Sequence, residues 1–195
     1  KDRELALPKA PAQVEDLKWT ANSNGSLDGK IEFTIPTKCY DGSAAGGEME
    51  YEVAIDKVRK ILTGKGQAGS KVILDYKFGT HNFHNIRVSV KNAAGESPWS
   101  VVDRYMGLDD PKEVDKPLVR LENGKVKLTW TKPTASAHGG DWGKDNMTYS
   151  VVRVPGNDTV VSNKNVTSYE EAGVTDRLKG VCFRVNARGN GKGNH

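Results

Sequence analysis

The chain has 195 residues, which at roughly 100–150 residues per domain allows one large domain or two small ones. Hydrophobic residues make up 36% and charged residues 28%. That is dilute for one large core, yet aromatic and β-branched residues recur too steadily for a disordered chain. The net charge of +4, from 29 basic and 25 acidic side chains, is too balanced to demand nucleic acid. No apolar run approaches the ~20 residues that span a bilayer, so direct membrane insertion is not expected. Two cysteines cannot build a disulfide framework.

The predicted elements follow a period of two. In chain order, residues 30–35, 50–55, 86–90, 126–130 and 181–187 alternate apolar and polar side chains. Each reads as a strand with one buried and one wet face. Asp28-Gly29, Asp41-Gly42, Asn123-Gly124, Gly139-Gly140 and Pro155-Gly-Asn-Asp158 supply the turns. No window sustains a helical stripe. The alternation also repeats. Phe33 and Trp130 lie 97 positions apart, as do Pro36 and Pro133, and Arg87 and Arg184, while Tyr51 and Tyr149 lie 98 apart. Three blocks in one order at one offset predict two tandem domains, 8–107 and 117–195. The stretch 108–116 between them, with Asp109, Asp110, Glu113 and Asp115, has linker composition. Several short strands and turns per domain predict an all-β fold of two antiparallel β-sandwiches.

Val126-Lys-Leu-Thr-Trp-Thr-Lys-Pro-Thr134 resembles strand B of a fibronectin type III domain, with its core Trp running into a Pro. Arg87-Val-Ser-Val-Lys-Asn-Ala-Ala-Gly-Glu-Ser-Pro-Trp-Ser100 is similar to strand F, the F–G turn and the start of strand G, and Phe183-Arg-Val-Asn-Ala-Arg-Gly-Asn-Gly-Lys-Gly193 resembles it in turn. The resemblance covers roughly 10–107 and 117–195 and implies immunoglobulin-like sandwiches of fibronectin type III topology. Insertions at 39–48 and 135–146 are similar to those of bacterial surface and secreted proteins. Phe33 stands where the first repeat would carry the strand B Trp. The Tyr near the start of strand F is replaced by His84 and by Val181, so neither repeat carries the phenol of the usual corner hydrogen bond. The counterpart of 97–106, strand G, is absent from the second repeat. The chain is expected to be a cut piece of a longer protein, or else to accept a strand from another chain at that open edge.

The expected core is Leu17, Trp19, Ile31, Phe33, Ile35, Tyr51, Val53, Ile55, Ile86, Val88 and Val90 in the first repeat. In the second it is Leu121, Val126, Leu128, Trp130, Tyr149, Val151, Val181, Phe183 and Val185.

No nucleophile elbow, Walker loop or dinucleotide fingerprint is present, so no catalytic residue and no cofactor is assigned. His81 and His84, three apart on a strand, point to opposite faces and cannot easily share a metal. Cys39 in a loop and Cys182 on a strand are expected as two free thiols, with Cys39 exposed to oxidation. Calcium would suit the acids at 109–115 by ligand type, but their spacing matches no calcium loop and they read as solvated; no metal site is assigned. Arg188-Gly189-Asn190 resembles an adhesion tripeptide with Asn in place of its Asp, and reads as a glycine-rich turn. Lys57, Arg59, Lys60 and Lys65 read as a solvated edge that discourages sheet-to-sheet association. The strongest candidate is the loop 135–146, which carries His138, Asp141, Trp142 and Lys144 on a glycine-rich frame. There Trp142 either stacks on a protein or carbohydrate ligand or folds back over the end of the sandwich. Two readings of function remain open. One is a non-enzymatic binding or spacer module of an exported, extracellular or cell-surface adhesin-like protein, its targeting peptide already removed. The other is an accessory segment of a secreted hydrolase whose catalytic domain lies outside this chain.

Overall fold

The structure is a computed structural model that describes residues 7–154, 156–172 and 182–189. The chain divides into two compact units, Lys1–Met106 and Gly107–His195. Among the described residues every regular element is a strand, and every strand pairing is antiparallel. No helix there is long and apolar enough to cross a membrane. Val181, Pro155, Asn190, Gly191 and Gly193, singled out above, lie outside the described residues.

Unit 1 holds β1 (Lys18–Ala21), β2 (Asp28–Thr34), β3 (Glu48–Ile55), β4 (Val58–Gln67), β5 (Lys71–Lys77), β6 (Asn82–Asn92), β7 (Gly95–Glu96) and β8 (Ser100–Met106). One sheet has the order β1-β2-β5. In the other, β4, β3 and β6 lie side by side, and the far edge of β6 carries β7 and β8. The alternation predicted for 30–35 puts Ile31, Phe33 and Ile35 fully inside, facing Val53, Val88 and Val90 of the opposite sheet, all 0% exposed. Leu17 and Tyr51 are half-buried against that core, and the rest of the expected set is buried. Each large side chain so covered contributes about 1.5–3 kcal/mol. Met49, Val72, Phe78 and Met106 join them. Phe78 lies just beyond β5, outside any alternating run, yet its ring meets Trp19 edge-on at 4.9 Å and stacks on His84 at 4.4 Å. Gly29, opposite Ala21, lets Trp19 lie across β2, because a methyl group there would overlap the indole.

Cys39 is not exposed as its loop position suggested. It is 6% exposed, because the loop folds back through a bridge to Pro11 and its sulfur faces the Ala44 carbonyl at 3.7 Å. Arg59, Lys60 and Lys65 fall on β4, the edge of its sheet, with Lys57 in the turn before it, and Arg59 pairs with Glu52.

Unit 2 holds β9 (Leu118–Glu122), β10 (Lys125–Thr129), β11 (Thr148–Val154), β12 (Asp158–Lys164), β13 (Ser168–Ala172) and β14 (Cys182–Arg188). Its sheets run β13-β10-β9 and β12-β11-β14. Asn123 and Gly124 both take positive φ, 50° and 74°. This is the backbone that a two-residue hairpin between β9 and β10 demands. Val126, Leu128, Trp130, Tyr149 and Val151 are buried as expected, joined by Met147, Val161 and Ala187, while Phe183 and Val185 are half-buried. Leu121 departs from expectation and is 53% exposed. It pairs with Val126 and so shares the inward face, but nothing among the described residues covers it.

The stretch 108–116 also departs from a solvated linker. Leu108 bridges to Asp141, Pro111 bridges to Ser136, and Asp109 is 2% exposed, so the first half of the stretch is built into unit 2. Glu113 and Asp115 remain exposed.

Candidate functional site

The loop from β10 to β11 is organised by Asp109. Its Oδ2 accepts the backbone N–H of His138 at 2.8 Å and that of Gly140 at 3.0 Å. Its Oδ1 accepts the N–H of Asp110 at 2.8 Å and faces His138 Nδ1 at 2.8 Å. Burial works to raise this carboxyl, but the donors from the His138 ring, His138, Gly140 and Asp110 outweigh it and hold the group below its usual range. A carboxylate committed to four donors binds no cation without giving some of them up. Among the described residues no three His, Cys, Asp or Glu side chains gather as metal ligands.

The four residues singled out in this loop go to different places. His138 is held against Asp109, with its side chain 46% exposed. Asp141 is fixed through its backbone: its N–H donates to the Gly107 carbonyl, and its carbonyl accepts from Asp109. Trp142 is half-buried and packs against the core of unit 2. Lys144 is exposed. Gly189, past the end of β14, meets the loop from the other side, where a methyl group would overlap the Trp142 carbonyl oxygen. The result is a fixed loop that presents His138 and Lys144 to solvent while Trp142 anchors it. Asp109 was read as a linker acid, and no local spacing marks its link to a histidine 29 positions on.

The corresponding loop of unit 1 is also tied by an aspartate, this one solvent-facing. Asp41 Oδ1 accepts the Ser43 hydroxyl at 2.5 Å and its N–H at 2.9 Å, and Lys9 lies 3.1 Å from Oδ2. These donors, the Ser43 hydroxyl foremost, lower its pKa to about 2. Tyr40 beside it is 53% exposed.

Two further clusters lie in unit 1. His84 is 6% exposed. Its Nδ1 lies 2.8 Å from Asp56 Oδ2 and its Nε2 lies 2.7 Å from the Thr80 carbonyl. The ring is thus tied at both nitrogens, to Asp56 on one side and to Thr80 on the other. The bond to Thr80, four residues upstream, does the work of the absent corner phenol. Asp56 lies in the β3–β4 turn with φ 50°, so the same contact secures that turn. On the outer face of β3, β4 and β6, an open groove of about 410 Å³ is lined by Glu50, Glu52, Arg59, Lys60, Lys65 and Lys91 among others. Arg59 meets Glu52 through two bonds of 2.8 Å, and its guanidinium lies 5.5 Å from the centre of the Trp99 ring. Within the groove Arg59 and Glu52 thus form an ion pair.

No family model and no curated protein matches this chain. Among solved structures, it is similar to tandem fibronectin type III segments. A two-domain segment of chicken tenascin shares 13% identity at a TM-score of 0.32, with 93% of each chain covered. The chicken CNTN1 FN1–FN3 domains share 13% identity at a TM-score of 0.31, covering 95% of this chain and 66% of that one. The all-β, fibronectin type III-like fold stands on the two sheet orders themselves, which recur from unit 1 to unit 2.

Proposed function

We propose that the chain is a non-enzymatic binding and spacer segment of an exported surface or secreted protein. Its contact with a protein or carbohydrate ligand is made by the loop between β10 and β11. The supporting observation is the order imposed on that loop: a buried carboxylate fixes its backbone at two N–H groups, those of His138 and Gly140, before any ligand arrives. Preorganised polar groups on a rigid scaffold lose little entropy on binding. His138 and Lys144 are the outward groups, and Trp142 sets their position from beneath.

The test is a screen of the chain against glycans and matrix proteins, repeated with His138→Ala, Lys144→Ala and Trp142→Ala, each checked for fold by circular dichroism. A specific hit weakened by the His138 or Lys144 change supports the reading. A folded chain with no hit, or one whose hit survives all three changes, overturns the loop as the site. Turnover of glycosides, esters or peptides by the purified chain overturns the non-enzymatic reading.

A further inference from the structure

The groove on the outer face of β3, β4 and β6 has two contiguous parts. The part of about 410 Å³ shares Glu50, Lys65 and Lys91 with a second of about 330 Å³, which runs on past Asn92 and Ala93. Each part falls in the size range of small-ligand sites. The strand registers lay out the charges. Lys65, Glu50, Lys91 and Glu96 stand in one row across β4, β3, β6 and β7, alternating in sign. In the next row Glu52 stands between Thr63 and Ser89. Thr63, Gly64 and Ser89 supply the short lining between long charged side chains.

Two features set this face apart from a solvated sheet surface. The first is how its charges are used. Arg59 takes both oxygens of Glu52, and Lys65 comes only within 3.9 Å of Glu48. Lys60, Lys91 and Glu50 form no ion pair among the described residues. Charges of opposite sign thus stand apart around open space. The second feature is the backbone. The β3–β4 register slips between Val53 and Ile55, and Lys60, which lines the groove, has a φ of 59°. A lysine holds that backbone at a cost, and a bulge re-aims the side chains around it.

We propose that this groove binds a linear acidic oligosaccharide, each ring of which carries one carboxylate and free hydroxyls. Lys60, Lys65 and Lys91 pair with the carboxylates, and Glu50 accepts from the hydroxyls through charge-assisted bonds. A densely charged polysulfate would set its anions against Glu50 and Glu96, and a neutral glycan would leave the lysines unmatched. An extended peptide finds no main-chain partner along β3, which is bonded to β4 on one side and to β6 on the other. The groove belongs to unit 1 and the loop between β10 and β11 to unit 2, so the two proposals fail independently.

The probe is a hexamer of galacturonic acid, titrated into the full chain by calorimetry beside its methyl-esterified, neutral form and a polysulfated hexasaccharide. The acidic hexamer is expected to bind at least about tenfold more tightly than either. Lys65→Ala and Lys91→Ala, both at exposed positions, should each weaken it about tenfold, the worth of one charge-assisted bond. Lys164→Ala, an exposed lysine of unit 2, should leave it unchanged. Glu50→Gln decides between a built site and simple attraction. It removes a negative charge, so attraction of an anion to surface lysines predicts tighter binding. A hydroxyl held by the carboxylate predicts binding weakened about tenfold. Circular dichroism checks each variant for fold. The proposal is overturned if the folded chain does not bind the acidic hexamer or prefers the polysulfated one. Binding that survives the Lys65 and Lys91 changes, or that holds or tightens in Glu50→Gln, overturns it equally.

Discussion

Trp19 and Val119 occupy equivalent places in two strands of the same kind, yet one is 5% exposed and the other 46%. The difference does not lie in the strands themselves. Both alternate, both are edge strands, and both pair with a buried neighbour. It lies in the opposite sheet, where β8 lies across β1 in unit 1 and no described strand does the same for β9. Burial of an edge residue is a property of the layer facing it, which the residue's own neighbours in sequence do not encode. The core polar groups differ as well. In unit 1 the buried His84 has both ring nitrogens bonded, whereas in unit 2 Trp130 Nε1 and the Tyr149 hydroxyl are buried with no partner among the described residues. Among the described residues unit 2 thus shows the less covered core, on both apolar and polar grounds.

The largest expected effect is in the better-closed unit. Phe33→Ala empties a site that is 0% exposed and in edge contact with Tyr51 at 5.4 Å, and should cost unit 1 about 3–5 kcal/mol. Trp130→Ala, at the equivalent place in unit 2, should cost less than its larger volume suggests, since it also removes an unpaired buried N–H. Urea unfolding of the two variants, followed by amide exchange in β2 and β10, reads the units separately. If the Trp130 change proves the more costly of the two, unit 2 is not the weaker sandwich.

Asp109→Ala comes next. It strands N–H groups that one buried carboxylate now satisfies, at about 3 kcal/mol in total, and it frees the loop that Trp142 anchors. Faster exchange at Gly140 with β2 unchanged is the expected signature; unchanged exchange at Gly140 would show that the loop is held by its bridges alone. Smaller still, and of opposite sign, Tyr149→Phe deletes a buried hydroxyl with no bond among the described residues and should stabilise unit 2 by about 1 kcal/mol. Tyr51→Phe, at a half-buried position in unit 1, should leave stability nearly unchanged. A loss of stability in Tyr149→Phe would reveal a bond to that hydroxyl.

Much of this architecture was legible as alternation. Ile31, Phe33 and Ile35, or Val126, Leu128 and Trp130, declare their faces because side chains on a strand alternate strictly. Phe78 was not legible, since it sits beyond β5 and is buried by rings from three separate segments. Leu121 was misread for the reason given above: its inward face was correct, and its cover was not there. Cys39 was misread because a bridge to Pro11 closes its loop from a distance of 28 positions. The candidate loop was found from its composition, but its organiser was not. Asp109 looks like any linker acid until the fold brings it under His138.

The two loop-tying aspartates offer the finest comparison, because both carboxyls are held low while one is buried and the other open to water. In each, the ionised carboxylate is the bonded form and the pKa is lowered. Each contribution to stability is therefore complete above the ordinary carboxyl value near 3.9 and is lost as pH falls through the folded value. For Asp41 that window runs from about 3.9 down to about 2. Ser43→Ala removes the foremost donor and should move the Asp41 midpoint upward, with the Ser43 N–H and Lys9 still in place. His138→Ala should move Asp109 further, because Asp109 is buried and its desolvation then stands less opposed, whereas Asp41 is open to water. Carboxyl carbon chemical shifts followed from pH 5 to pH 2 measure both. An Asp109 midpoint that stays put in His138→Ala would assign the low value to the backbone donors alone, making the histidine a passenger on the loop rather than one of its ties.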